Sequence, residues 1–143
     1  MSGNDVARKL LILARELDLQ HELSDITIQN LLPNDLQHIS LESFKKKVTE
    51  LDKTYQLIKA NQQKNHVLRY VGDLSTETGE LEVKLISVPQ NSALGQIKGS
   101  DSIFEIYTEA YATQPLVIQG AGAGAAVTAR GVFGDILRLT EKL

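Results

Sequence analysis

Apolar residues along the first part of the chain recur at the spacing of a helix. At about 100° per residue, Val6, Ala7, Leu10, Leu11, Leu13, Ala14 and Leu17 cover one broad arc. Asp5, Arg8, Lys9, Ile12, Arg15 and Glu16 cover the other. Ser2 or Asn4 is placed to cap this helix, and Asp5 stands in its first turn, where the helix dipole favours an anion. The pattern ends around Asp18 to His21. From Asp25 to Leu31 apolar and polar residues alternate, as in a half-buried strand, until Pro33 and Asn34 stop it. Ser40 is placed to cap a second helix, and Ser43 occupies the position where a capping box wants Glu. Leu41, Phe44, Val48, Leu51, Tyr55 and Ile58 make its apolar stripe, which predicts a helix to Ala60 or Gln63. His66–Gly72 and Leu81–Val88 read as strands joined antiparallel through a turn at Ser75–Glu80, and Pro89 ends the second. Asn91 to Ser102 reads as a loop, Ile103–Thr108 and Pro115–Gln119 as two more strands, and Ala125–Lys142 as a last helix. The order α-β-α-β-β-β-β-α predicts an α+β fold: a mixed, mainly antiparallel sheet of about four to five strands with helices packed on one face.

Composition narrows the class of function. The 143 residues suit one domain, and 42% hydrophobic with 23% charged content is ordinary for a globular chain. A net charge of −3 provides no global basic field for nucleic acid or an acidic membrane, and the Lys45-Lys46-Lys47 run reads as a solvated helix face. The absence of cysteine excludes disulfides, thiolate metal sites and thiol nucleophiles. His21, His38 and His66 lack metal-ligand spacing, so no metal site is expected. The apolar run Leu10–Ala14 is too short for a bilayer, and charges at Asp5, Arg8, Lys9 and Arg15 argue against a signal peptide. A cytoplasmic location is the default expectation. The chain opens almost inside a helix, which suggests a piece of a longer protein.

Two features carry candidate chemistry. Asp5 and Lys9 are four apart, so an anion and a cation share one helix face. On an open surface that is an ordinary solvated contact; in a cleft it is an acid/base couple. The second feature is Gly120-Ala121-Gly122-Ala123-Gly124, between a strand and a helix. Glycines let the backbone approach a ligand, and the helix start offers free N–H groups to an anion. Gly120-x-Gly122-x-x-Ala125 fits a loose dinucleotide fingerprint, but the 18 residues beyond Ala125 leave no room for the rest of a dinucleotide-binding unit. The loop is expected to touch a phosphate or nicotinamide without forming the main cofactor domain. The other reading is that its glycines, with Gly131 and Gly134, only serve tight packing of helix on sheet.

Ser2-Gly3-Asn4-Asp5-Val6-Ala7-Arg8-Lys9-Leu10-Leu11-Ile12-Leu13 resembles the S-G-x-D-V-A-R-K-x-x-I-L signature of homoserine dehydrogenases. Gly120-Ala121-Gly122-Ala123-Gly124, with Val127-Thr128-Ala129 and Gly131-Val132-Phe133-Gly134-Asp135-Ile136-Leu137, is similar to that family's C-terminal motif. Val67-Leu68-Arg69-Tyr70-Val71-Gly72 and Ile97-Lys98-Gly99 extend the likeness, which spans nearly the whole chain and is nearest to the last part of bifunctional aspartokinase/homoserine dehydrogenases. The resemblance implies interconversion of L-homoserine and L-aspartate 4-semialdehyde with NAD(P), in threonine and methionine biosynthesis. It implies that residues 1–143 are the substrate-binding and dimerisation part of a homodimeric enzyme, without its nucleotide-binding domain.

On the family motif, Lys9 matches the catalytic lysine that handles the hydroxyl proton, Asp5 an aspartate that helps hold homoserine, and Gly124, with Gly120 and Gly122, the turn near the cofactor. Oxidation of an alcohol by hydride transfer needs such a proton acceptor. A lysine serves where burial or a neighbouring cation favours its neutral form, and Arg8 adjoins Lys9; Asp5 pulls the other way and is read as the partner of the substrate ammonium. The acidic residue that precedes the family signature would lie before Met1, as would the pyrophosphate-binding unit and the monovalent-cation site. Near Ser102 the family often has Asn. Both ends of the chain are expected to border one pocket, yet the chain alone is expected to hold no cofactor and to show no dehydrogenase activity. The alternative is a non-catalytic module that binds an anion or nucleotide, or that dimerises.

Overall fold

The computed structural model describes residues 2–111 and 113–142. The chain forms two compact units, Met1–Pro89 and Gln90–Leu143. In the first, α1 (Asn4–Glu16) lies on a sheet ordered β1-β3-β2, with β1 (Thr27–Ile28) parallel to β3 (Leu81–Pro89) and β2 (His66–Leu74) antiparallel to it. The β2–β3 hairpin follows the alternation read from the sequence, in register from His66↔Pro89 to Leu74↔Leu81. Val83, near the start of β3, is fully buried among Ala7, Leu10, Leu11, Ala14, Ile26 and Leu81. The buried arc of α1 is narrower than its apolar arc, since Leu13 and Leu17 stay exposed. The sheet it covers has one strand of only two residues, so the central seam alone is closed over.

The helix ends hold two departures from expectation. Neither Ser2 nor Asn4 caps α1. The N-cap is Gly3, in a left-handed conformation with φ 81°, and no side chain caps the helix. Capping side chains act from an extended N-cap backbone, which this turn does not provide. The C-terminus closes through a left-handed Asp18, with Leu19 N–H donating to Ala14 O at 3.0 Å and Asp18 N–H to Arg15 O at 3.1 Å. Ser40 does cap the second helix, accepting from Ser43 N–H at 3.3 Å. That helix is two, α2 (Leu41–Lys47) and α3 (Glu50–Ala60). Between them Val48 and Thr49 keep helical backbone angles, but their carbonyls accept from Leu51 and Asp52, three residues on. This tightened turn rotates the stripe, so that of its residues only Leu51 is fully buried.

The second unit begins with a single turn, α4 (Ala93–Gln96), where the sequence reads as loop. Ser92 caps it by accepting from Gly95 N–H at 3.0 Å. A two-stranded antiparallel ladder follows, β4 (Asp101–Ile106) with β5 (Leu116–Ala121), and then α5 (Ala125–Thr140). Among the described residues the five strands are thus divided between a mixed sheet and an antiparallel ladder, an α+β architecture. No residue of β5 or α5 is buried, and Phe104, Ile118, Val132, Phe133 and Ile136 are all at least half exposed. Among the described residues no helix is long and apolar enough to cross a membrane.

Candidate active site

The seam that buries Ala7, Leu10, Leu11 and Ala14 turns Asp5, Arg8 and Lys9 outward. Lys9 Nζ stands 2.8 Å from Asp5 Oδ2, the contact expected from their spacing. Both side chains are open to solvent, 73% and 79% exposed, so this chain by itself does not enclose the pair. The hydrogen bond from Lys9 and its charge hold the Asp5 carboxyl below its usual range, with a lesser contribution from Arg8. Asp5 is therefore an ionised acceptor at neutral pH, available to a cation.

The head of α1 also borders an open cavity of about 370 Å³, lined by Ser2, Asn4, Ile28, Asn30, Gln37 and His38. The sequence reading did not single out this wall. It is built by the chain after β1, which folds back where Asn30 Oδ1 accepts from Leu32 N–H at 2.9 Å. Gln37 Nε2 then donates to Leu32 O and to Asn34 Oδ1, each at 2.9 Å. The Asn-Leu-Leu-Pro-Asn run was the available signal, since such residues hydrogen-bond their own backbone in turns.

The glycine-rich segment lies in the second unit. Gly120 and Ala121 belong to β5, opposite Ser102 and Asp101, so the turn proper is Gly122–Gly124 rather than the whole glycine run. Gly124 is the N-cap of α5 at φ 127° and ψ 142°, a conformation essentially restricted to glycine, and no side chain caps the helix. A Cβ at Gly120, Gly124, Gly131 or Gly134 would meet open space, so packing within the chain does not require glycine at these four positions. At Gly122 a Cβ would collide with Ser102 Oγ. An uncapped helix start behind an open glycine turn leaves the first-turn N–H groups of α5 without a side-chain cap, the physical setting for an anion. Among the described residues no three His, Asp or Glu side chains cluster as a metal site.

Three comparisons bear on this geometry. The family model described as homoserine dehydrogenase matches residues 1–137. The chain is 42% identical over 149 residues to the chloroplastic bifunctional aspartokinase/homoserine dehydrogenase 1 of Zea mays, covering all of this chain and 16% of that protein. It is 40% identical over 143 residues to the bifunctional enzyme of Haemophilus influenzae, covering 99% of this chain and 17% of that one. It is 39% identical over 150 residues to the homoserine dehydrogenase of Emericella nidulans, covering all of this chain and 41% of that one. A crystal structure of a Candida auris protein of unknown function matches 98% of this chain and 40% of its own with a TM-score of 0.83 and 36% identity. The chain thus spans from about a sixth to about two fifths of the length of these relatives. With the signature around Asp5 and Lys9 and the glycine turn both inside the matched residues, the chain belongs to the homoserine dehydrogenase family.

Proposed function

We propose that the chain is the substrate-binding part of an enzyme that interconverts L-homoserine and L-aspartate 4-semialdehyde with NAD(P). The carrying observation is the Asp5–Lys9 pair at the head of α1, inside the family signature, with its carboxylate kept ionised. Homoserine presents an ammonium and a hydroxyl a short carbon chain apart. The ammonium competes with Lys9 for the Asp5 carboxylate. Once Asp5 is engaged by substrate, Lys9 is free to give its own proton to solvent; the neutral amine then takes the hydroxyl proton as the C–H bond breaks, and the resulting ammonium returns that proton to the aldehyde oxygen in the reverse direction. The nicotinamide group, when bound, accepts or supplies the hydride. Gly120, Gly122 and Gly124 would approach the cofactor through backbone, with the first-turn amides of α5 offered to the negative charge of its phosphates.

Lys9→Ala in the complete enzyme tests this. Turnover falls by at least about a hundredfold, the typical worth of a general base, with an unchanged circular-dichroism spectrum. Near-normal turnover refutes the assignment. The exposed apolar side chains of β5 and α5 support a homodimer as the assembled form. The cytoplasm is the proposed compartment, to be checked by fractionation, since several relatives are named chloroplastic.

A further inference from the structure

Gln29, just after β1, is tied at three points. Its N–H donates to Val83 O at 2.7 Å, its side-chain Oε1 accepts from Leu85 N–H at 2.8 Å, and its carbonyl accepts from the Tyr70 hydroxyl at 2.7 Å. Two residues on, the Tyr55 hydroxyl donates to Leu31 O at 2.8 Å. The segment after β1 is therefore fixed on β3 and held by two phenols.

The Tyr70 hydroxyl has a second neighbour. It fills the space beside Gly3, where a Cβ would collide with it and come within 2.6 Å of Ile28 Cγ2 and 3.3 Å of the Tyr70 ring carbon Cζ. Gly3 is the uncapped start of α1, and its carbonyl accepts the helix's first bond, from Ala7 N–H at 2.9 Å. With no capping side chain, the orientation of the first turn depends on what Gly3 rests against, and it rests against Tyr70 and Ile28.

We propose that Tyr70 is a positioning residue for the reaction: its hydroxyl, anchored on the Gln29 carbonyl, seats Gly3 and so aims the first turn of α1 that carries Asp5. The proposal rests on the reading of Asp5 and Lys9 given above. Asp5 follows Gly3 by two residues, whereas Lys9 directly precedes the buried pair Leu10-Leu11. Loosening the seat therefore reaches the ammonium partner before it reaches the proton acceptor. Burial raises the pKa of the Tyr70 phenol, with the nearby Tyr55 adding to the effect, so the hydroxyl remains a donor across the neutral range.

The test is Tyr70→Phe in the complete enzyme, which keeps the ring and removes the donor. KM for homoserine rises roughly three- to tenfold while kcat changes by less than about twofold, the scale of one neutral hydrogen bond felt by a binding group. KM for NAD(P) and the shape of the pH profile are unchanged. Gly3→Ala attacks the same contact from the helix side, gives the same homoserine-specific rise, and serves if the first variant does not fold. Unchanged homoserine KM in the folded variants overturns the proposal, even if the melting temperature falls, because the contact then only stabilises. A displaced pH profile in Tyr70→Phe also overturns it, by making the phenol a proton-transfer group. High turnover in Lys9→Ala is a separate failure, of the underlying reading of α1.

Discussion

Asp5 is held in a close ion pair without being buried. Its carboxylate lies beside the positive end of α1 and accepts a hydrogen bond from Lys9 one turn later. The spacing of the two made this contact legible from the sequence, because a four-residue interval stacks side chains on a helix face. The seating of Gly3 was not legible, since nothing local announces that a phenol from β2 reaches it. The Asp5 carboxyl has a folded-state pKa below its unfolded value, chiefly through the Lys9 hydrogen bond and charge. The sign follows directly. The contribution to stability is present above the unfolded pKa and is lost as the pH falls through the folded one. With both groups mostly exposed, solvent screening keeps that contribution small. A carbon-detected NMR titration of Asp5 gives a midpoint below that of an ordinary aspartate, and in Lys9→Ala the midpoint returns toward it. A midpoint that ignores the loss of Lys9 contradicts the ion pair as drawn.

The elements divide by how local their causes are. The β2–β3 hairpin and α1 were readable because alternation and helical spacing survive in single-sequence form, and the residues they do bury, Ala7, Leu10, Leu11 and Ala14 on α1 with Leu81 and Val83 on β3, lie on the faces those patterns select. The break between α2 and α3 was not, because Val48 and Thr49 remain helical in φ and ψ and only the bonding shifts from four residues to three. Gly120 and Ala121 were read as loop because glycine and alanine carry no strand signal; pairing with Ser102 and Asp101 makes them strand all the same. The weight of the first unit rests on β3, which is paired on both sides and carries the fully buried Val83. Val83→Ala removes two methyl groups from beneath Ala7 and Leu10 and destabilises the chain by roughly 2 kcal/mol, read from chemical denaturation. A loss below about 0.5 kcal/mol shows that the seam relaxes to fill the space and does not hold α1 in place.

At the scale of the whole molecule, the two units differ in how they treat apolar surface. The first closes a core of Ala7, Leu10, Leu11, Ala14, Ile26, Leu81 and Val83. The second leaves Val127, Val132, Phe133, Ile136, Leu137 and Leu139 exposed along α5, and Phe104, Leu116, Val117 and Ile118 exposed on its ladder. A helix with apolar residues on its open faces is stable in water only when another surface takes them up. Self-association through this surface is the proposal, and it makes a direct prediction. Phe133 is 62% exposed, so Phe133→Glu leaves the fold of one chain undisturbed but sets a charge where two apolar surfaces meet. Light scattering coupled to size exclusion then reports a dimer for the wild-type complete enzyme and a shift toward monomer for the variant, with circular dichroism unaltered. Because the elements concerned carry the Gly122–Gly124 turn but not Lys9, a monomeric variant is expected to lose affinity for NAD(P) more than for homoserine. An enzyme that remains dimeric with Glu at position 133 shows that the partner copy sits elsewhere.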